Sequence, residues 1–138
     1  MKLPWIAIIA AFLAGPAMAQ TALPDLRGTW KGQSESVVLG AGNSHHDPGM
    51  PDNEPQLRTL SFTLTIDKQD GRRFAGKFSS GHSTETVIGI ISRSGAIYIV
   101  DDDGYDVGTI LAPNRMELCY LHLSTNSRIV SCTELTKQ

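Results

Sequence analysis

The stretch LSFTLTI, residues 60–66, decides the fold of this 138-residue chain. From Leu60 to Ile66, large apolar side chains alternate with hydroxyl side chains at every position. Successive side chains of an extended strand point to opposite faces, so one face of this strand is expected in a core and the other in water. Residues 20–138 carry no comparable helical stripe. The fold is therefore predicted to be built from strands.

Seven other segments have the composition of strands, with branched and aromatic residues between turn residues. Together with 60–66 they are residues 28–39, 73–79, 86–91, 96–100, 105–111, 115–123 and 128–135. Most links are short and contain Gly, Asn, Asp or Ser, which favours sequential antiparallel pairing. Eight strands can close a small barrel, and closure removes exposed edges. The prediction is an all-β, eight-stranded antiparallel up-and-down barrel with no substantial helix in the mature chain.

The N-terminus has the three parts of a secretory signal peptide. A short basic start is followed by an almost wholly apolar run at residues 5–13 and by small residues at 17–19. The apolar run is too short to span a bilayer. We therefore expect residues 1–19 to be a cleaved signal peptide and residues 20–138 to form a single β-barrel domain. The mature protein is predicted to be periplasmic, without a membrane span.

Charge excludes one class of partner. Cleavage removes Lys2 and leaves 11 basic against 14 acidic residues, a net charge of about −3. No basic stripe runs along any segment, so nucleic-acid binding is not expected.

Two cysteines, Cys119 and Cys132, are expected to form a disulfide. A hairpin that turns at residues 125–126 places them directly opposite each other, at a non-hydrogen-bonded site where the two Cα atoms are closest. An exported protein meets the oxidising conditions that the bond needs. Two free thiols or a zinc pair are the alternatives, but the chain offers no further zinc ligands at a suitable spacing.

The same hairpin register predicts which side chains face the interior. It places Glu117 opposite Glu134, and two opposed carboxylates are tolerable only in water. The cystine face should therefore be the outer face, and His122 should point inward. We expect His122 to be a core histidine that is hydrogen-bonded to a neighbour, not a ligand or a catalyst.

Motifs of catalysis are absent from the sequence. It contains no G-x-S-x-G elbow, no H-E-x-x-H pair and no glycine-rich phosphate loop that opens a helix. A small filled barrel also offers little cleft for a pair of catalytic carboxylates. The protein is predicted to be a non-enzyme without a cofactor.

Two groups of residues have the chemistry of metal ligands. His45, His46, Asp47 and Met50 lie in the long link at residues 40–55, and their side chains would suit copper. A solvated polar loop is the preferred interpretation, since adjacent side chains diverge. A long link of this kind is either functional or disordered.

The second group is Asp101, Asp103 and Asp106 around Gly104, in the pattern of the first half of a calcium loop. No late glutamate follows them, so an Asp-Gly hairpin turn is preferred. The sequence therefore predicts no metal site.

The opening LRGTW, residues 26–30, is similar to the G-x-W start of the calycins and to the L-x-G-T-W start of the avidins. In those families this tryptophan plugs or lines one end of an eight-stranded barrel. Trp30 is the only tryptophan after residue 19, so the further tryptophans of an avidin pocket are absent. The resemblance implies the architecture and not biotin binding.

The stretch SRSGAIY, residues 92–98, resembles the S-x-S-G-A-x-Y motif of the bacterial periplasmic inhibitors of c-type lysozyme. These are exported eight-stranded barrels whose serine-glycine loop enters the cleft of the muramidase. The resemblance implies that Ser92, Ser94 and Gly95 hydrogen-bond catalytic carboxylates, and that Tyr98 holds the tip in shape. It covers one hairpin and the fold class, since the family's N-terminal cysteine and tryptophan-lysine-glycine motif are missing.

The predicted function is inhibition of lysozyme or a related peptidoglycan hydrolase through residues 92–98. The acidic charge suits long-range capture of a basic enzyme. The partner-binding residues are expected to be Ser92, Ser94, Gly95, Ala96, Tyr98, Asp101 and Asp103. A lipocalin- or avidin-like carrier and a structural envelope protein are the alternatives. Bulky residues on facing strands predict a packed interior, which a carrier would not have.

Overall fold

The structure, a computed structural model, describes residues 22–46 and 54–138. The predicted signal peptide lies outside this part of the chain, as do Asp47 and Met50. Eight strands are present, and they are β1 (Gly28–Gly40), β2 (Gln56–Asp70), β3 (Arg73–Ser79), β4 (Thr84–Ile91), β5 (Ala96–Val100), β6 (Tyr105–Ala112), β7 (Arg115–Leu123) and β8 (Ser127–Lys137). Among the described residues, no helix has the length and apolar character needed to cross a membrane.

Each strand pairs antiparallel with the next, and β8 returns to pair with β1, so the sheet closes into a barrel. The predicted up-and-down barrel is confirmed. The main difference is the length of β2, which extends beyond residues 60–66 in both directions. Apart from Leu57, which is exposed, the added positions are polar, and a pattern of alternating apolar residues therefore does not reveal them. A register shift between Ile66 and Lys68 then bends β2 towards β3.

The alternation of strand direction divides the links between two ends of the barrel. The links β2–β3, β4–β5 and β6–β7 lie at one end, which we call the Trp30 end. The links β1–β2, β3–β4, β5–β6 and β7–β8 lie at the other, which we call the histidine end after His45 and His46.

The apolar core belongs to the Trp30 end and the middle of the barrel. Trp30 is completely buried, and its Nε1 donates a hydrogen bond to the Leu26 carbonyl at 2.8 Å. Lys137 lies over the indole, 5.4 Å from its centroid. Trp30 forms one apolar cluster with the buried side chains of Leu26, Leu64, Ile66, Phe74, Val87, Ile91, Ile97, Ile99, Met116, Leu118 and Leu135. Trp30 thus occupies the position that the calycin-like opening implies.

Gly89 shows how closely this core is packed. It faces inward on β4, directly against the ring of Phe74 from β3. A Cβ atom added at Gly89 would lie 2.2 Å from the Phe74 ring, which is closer than real contacts allow. The absence of a side chain on β4 therefore gives the aromatic ring its space.

The last hairpin has the predicted register. Leu121 pairs with Val130, and Cys119 pairs with Cys132 with Cα atoms 4.0 Å apart and a bonded sulfur pair. The predicted disulfide is confirmed. Glu117 and Glu134 face each other in solvent, where Arg115 pairs with Glu134 at 2.7 Å.

His122 faces the interior as predicted. Its side chain is only 7% exposed, and its Nδ1 lies 2.7 Å from the carbonyl oxygen of Asp103. Because a carbonyl can only accept, Nδ1 carries the proton of that hydrogen bond.

Candidate functional site

The Ser92–Gly95 hairpin links β4 to β5 at the Trp30 end, and its backbone is fixed by several hydrogen bonds. Ser92 N donates to the carbonyl of Ala96 at 2.7 Å, and Gly95 N donates to the carbonyl of Ser92 at 3.1 Å. Gly95 has φ near +89°, a conformation that residues other than glycine rarely adopt. From the β2–β3 link, Arg72 Nη1 donates to the Ser92 carbonyl at 2.6 Å. The tip is therefore tied to the barrel from both sides.

The two serines of the tip have different roles. Ser94 is exposed, whereas Ser92 is half-buried. Ser92 Oγ accepts a hydrogen bond from Ala96 N at 3.0 Å and lies 2.8 Å from Ser94 Oγ. The Ser92 hydroxyl thus shapes the hairpin, and the exposed Ser94 hydroxyl is the better placed of the two to meet a partner. The motif alone does not separate these roles.

Tyr98 and Ala96 lie on β5 behind the tip. Tyr98 is 48% exposed and stands on the outer face of the barrel, between Ile90 and Val107 of the neighbouring strands. Ala96 is half-buried, and both its backbone N–H and its carbonyl are hydrogen-bonded to Ser92. The predicted contact residues of 92–98 therefore lie together on the hairpin and the start of β5, while Ile97 among them is buried in the core.

Asp101 and Asp103 lie at the other end of β5, in the histidine end. Asp101 Oδ1 accepts hydrogen bonds from Gly104 N at 2.7 Å and Asp103 N at 3.1 Å, which are the contacts of the predicted Asp-Gly turn. The structure thus brings five of the predicted partner-binding residues together and places these two aspartates at the opposite end. Asp106, the third aspartate of the sequence cluster, is only 4% exposed and faces the interior.

His45 and His46 are both buried, so the prediction of a solvated loop is wrong for them. The Asn43 side-chain oxygen accepts both of their backbone N–H groups, at 3.1 and 3.0 Å, which folds this segment back over the barrel mouth. His45 Nδ1 lies 2.7 Å from Ser80 Oγ, and His46 Nε2 lies 3.3 Å from Ser36 Oγ. The two imidazole rings therefore fill the interior of the barrel at the histidine end.

Inward-facing hydroxyls were the available sequence signal for this polar interior. Ser34, Ser36, Ser131 and Thr133 are all buried on β1 and β8. Ser36 donates to Ser131 Oγ at 2.8 Å, across the β1–β8 seam. A strand whose buried face changes from Trp30 to serines indicates an interior that changes from apolar to polar along the barrel axis.

A cavity of about 10 Å³ remains beneath the histidines. Its lining includes His46, Phe62, Phe78, Asp106 and Tyr120. The volume is close to the minimum that a single water molecule needs. This cavity is therefore too small for an organic ligand, which agrees with the packed interior that the sequence predicts.

Burial perturbs three titratable groups around this cavity. It raises the pKa of Asp106 to about 7, and the charge of Asp101 adds to the effect. Burial also lowers the pKa of His46 to about 4, helped by the neighbouring His45. The pKa of Tyr120 is raised by burial and by its hydrogen bond to Asp103 Oδ1, at 2.5 Å. These groups are therefore neutral near pH 6.

Glu85 adds a further charge that the sequence did not point to. It opens β4 with an inward side chain only 7% exposed. The Ser44 hydroxyl donates to Glu85 Oε1, and Oε2 lies 3.3 Å from His45 Nε2. Oxygen atoms of Glu85, Asp101 and Asp103 all lie within 4.8 Å of one another.

The topology is that of an eight-stranded, closed antiparallel barrel, and comparison with known proteins adds little to it. No known family model matches the chain, and no curated protein sequence matches it. Among solved structures, the chain is similar to the S-type phycobiliprotein lyase CPES from Guillardia theta, with a TM-score of 0.37 and 11% sequence identity. The match covers 82% of this chain and 88% of that chain. A likeness at this level carries no argument about function.

Proposed function

We propose that the protein is an exported, non-enzymatic inhibitor of a muramidase and that its Ser92–Gly95 hairpin enters the active-site cleft of that enzyme. The observation that carries the proposal is that the side chains at the tip of this hairpin are exposed while hydrogen bonds hold its backbone in place. Ser94 and Gly95 are exposed, while Arg72 and the Ser92 hydroxyl hold the backbone behind them. A tip that is ordered before binding loses little conformational freedom when it binds.

The chemistry of the tip suits the cleft of a muramidase. Glycoside hydrolases carry two carboxyl groups about 5 to 9.5 Å apart. The Ser94 hydroxyl can donate to such a carboxylate, and the exposed Arg93 beside it carries the opposite charge. A hydrogen bond to a charged group contributes roughly 1.5 to 3 kcal/mol. Small side chains at the tip allow this contact in a narrow cleft.

The carrier alternative lacks comparable support. Pockets for small molecules usually measure about 300 to 1,000 Å³, whereas the described interior cavity measures about 10 Å³. The disulfide between Cys119 and Cys132 supports an oxidising compartment such as the periplasm. Asp101 and Asp103 enter the proposal only as long-range steering charges, since they lie at the end opposite the hairpin.

The test uses two glutamate substitutions in exposed turns at opposite ends of the barrel. Ser94→Glu places a negative charge at the proposed contact, and Thr125→Glu places the same charge in the β7–β8 turn. Inhibition of a panel of c-type lysozymes and bacterial muramidases is measured for both variants and the wild type. We expect the wild type to inhibit at least one enzyme, Ser94→Glu to inhibit it at least tenfold more weakly, and Thr125→Glu to match the wild type.

Melting temperatures complete the comparison and should be nearly equal for all three proteins, because both positions are exposed. A wild-type protein that inhibits none of the enzymes refutes the proposal. Inhibition that is equally strong in Ser94→Glu shows that the contact surface lies elsewhere.

A further inference from the structure

We infer that the histidine end contains a binding site for a divalent cation, Ca²⁺, with Glu85, Asp101 and Asp103 as its oxygen ligands. Glu85 comes from the start of β4, and the two aspartates come from the β5–β6 link, so the barrel brings together two separate segments. The three carboxylate oxygens lie within 4.8 Å of one another. Ligands about 2.3 to 2.6 Å from a calcium ion have mutual distances of this size.

Each carboxylate is already oriented through one of its two oxygens. The Ser44 hydroxyl donates to Glu85 Oε1, backbone N–H groups donate to Asp101 Oδ1, and the Tyr120 hydroxyl donates to Asp103 Oδ1. These contacts leave the second oxygen of each group for a ligand. Supporting hydrogen bonds of this kind hold the ligands of metal sites in place.

Two buried atoms lack the partners that burial requires. Glu85 Oε2 and His45 Nε2 are both inaccessible to water, and neither makes a hydrogen bond with a described residue. They lie 3.3 Å apart, and the His45 ring is anchored at Nδ1 by Ser80. A buried carboxylate oxygen without a partner is costly. A cation beside Glu85 would remove that cost, and this observation is independent of the number of acidic residues.

Mutual repulsion among the three carboxylates also favours a bound cation. Carboxylate groups whose oxygens lie within 4.8 Å of one another repel each other when they are ionised, and a cation between them removes that repulsion. The described neighbours that can carry a positive charge are His45, 3.3 Å from Glu85, and His122, 3.7 Å from Asp103. A divalent cation would add a permanent positive charge to the cluster.

The donor set selects among cations. Three carboxylate oxygens are hard ligands, which suit Ca²⁺ and Mg²⁺, and Ca²⁺ accepts irregular geometry more readily than Mg²⁺ does. Zinc sites use mainly nitrogen and sulfur ligands in a tetrahedron. The sequence pattern around Gly104 has the start of a calcium loop without its late glutamate. In the barrel, Glu85 supplies that glutamate from a neighbouring segment.

The test measures Ca²⁺ binding to the whole mature protein after removal of metal with EDTA. Calorimetric titration with CaCl₂ and the melting temperature with and without CaCl₂ are recorded for the wild type, Glu85→Gln, Asp101→Asn and Asp102→Asn. Asp102 is the matched control, because it is an exposed aspartate of the same turn that lies outside the cluster. Asp101→Asn keeps an oxygen that can accept from Gly104 N.

We expect saturable binding of one Ca²⁺ and a rise of several degrees in the melting temperature of the wild type and of Asp102→Asn. Affinity should fall at least tenfold in both Glu85→Gln and Asp101→Asn, with circular dichroism spectra like that of the wild type. If Glu85→Gln does not fold, the decision rests on Asp101→Asn. Absence of Ca²⁺ binding, binding of Mg²⁺ alone, or an equal loss in Asp102→Asn would overturn the inference. The hairpin of the proposed inhibitor lies at the other end, so the two proposals fail independently.

Discussion

The two ends of the barrel are built from the same strands and yet have opposite interiors. β1 buries Trp30 at one end and Ser34 and Ser36 at the other. The Trp30 end is filled by apolar side chains, whereas the histidine end buries imidazoles, hydroxyls and carboxylates around a cavity that holds at most one water molecule. Strand alternation determines which face is buried, and the buried polar side chains are concentrated towards the histidine end, where they lie beside apolar residues such as Val38, Phe62 and Ile129. The interior of the Trp30 end is therefore expected to contribute most of the stability, whereas the buried titratable groups belong to the histidine end.

The largest effect on stability is expected from Trp30→Ala, which leaves a cavity in the apolar core at the Trp30 end. The substitution removes a fully buried ring and its hydrogen bond to Leu26. Truncation of a buried large aromatic side chain costs about 3 to 5 kcal/mol in the free energy of unfolding. Urea unfolding measures the change, with Leu57→Ala as the control because Leu57 is 83% exposed. A loss below about 1 kcal/mol would show that this end does not carry the stability assigned to it.

The next effect concerns the pH dependence of the histidine end. The pKa of Asp106 is about 7 in the folded protein against an ordinary 3.8, so its contribution to stability is lost as pH rises from about 4 to 7. The pKa of His46 is about 4 against 6.5, so its contribution is lost as pH falls from 6.5 to 4. The two contributions oppose each other, and the wild type should change little over this range.

Asp106→Asn removes the pH-dependent contribution of Asp106 to stability and leaves that of His46. The variant should therefore gain roughly 3 kcal/mol in unfolding free energy between pH 4 and pH 6.5, at 1.36 kcal/mol per pKa unit. Urea unfolding in EDTA at several pH values compares the two proteins. Parallel pH profiles would contradict the burial assigned to Asp106.

The smallest effect on the free energy of unfolding is expected from removal of the disulfide, which lies on the outer face of the barrel and packs in the interior of neither end. Replacement of Cys119 and Cys132 together by serine should lower the unfolding free energy by roughly 2 to 3 kcal/mol, since the bond closes a loop of about 14 residues. The wild type under reducing conditions serves as the control and should lose a similar amount. Two reactive thiols in denatured, unreduced protein would show that the bond does not form.

The sequence predicts the apolar part of this molecule better than the polar part. The alternation in residues 60–66 predicts the barrel. The register of the last hairpin predicts the disulfide and the inward direction of His122. These predictions succeed because each depends only on residues within one strand or on two adjacent strands. The burial of His45 depends on Asn43 and on Ser80 from another link. Local composition does not contain such contacts.

The candidate cation cluster escaped the sequence for a related reason. Glu85 lies at the start of β4, and it meets the Asp101–Gly104 turn because β4 pairs antiparallel with β5, with Ile88 opposite Val100. Asp106 was grouped with the Asp-Gly turn, but it lies on β6, where Tyr105 and Val107 on either side are exposed and Asp106 itself faces inward. Its inward direction follows from the pairing of β6 with its neighbours.

The β1–β8 seam has a consequence for synthesis on the ribosome. β1 can pair with β2 as soon as β2 emerges, but its other edge pairs with β8, from Trp30 opposite Lys137 to Gly40 opposite Ser127. At ordinary translation rates of about 5 to 20 residues per second, β8 follows β1 by several seconds. Throughout that time a nascent chain carries an open strand edge, which is a template for wrong pairing.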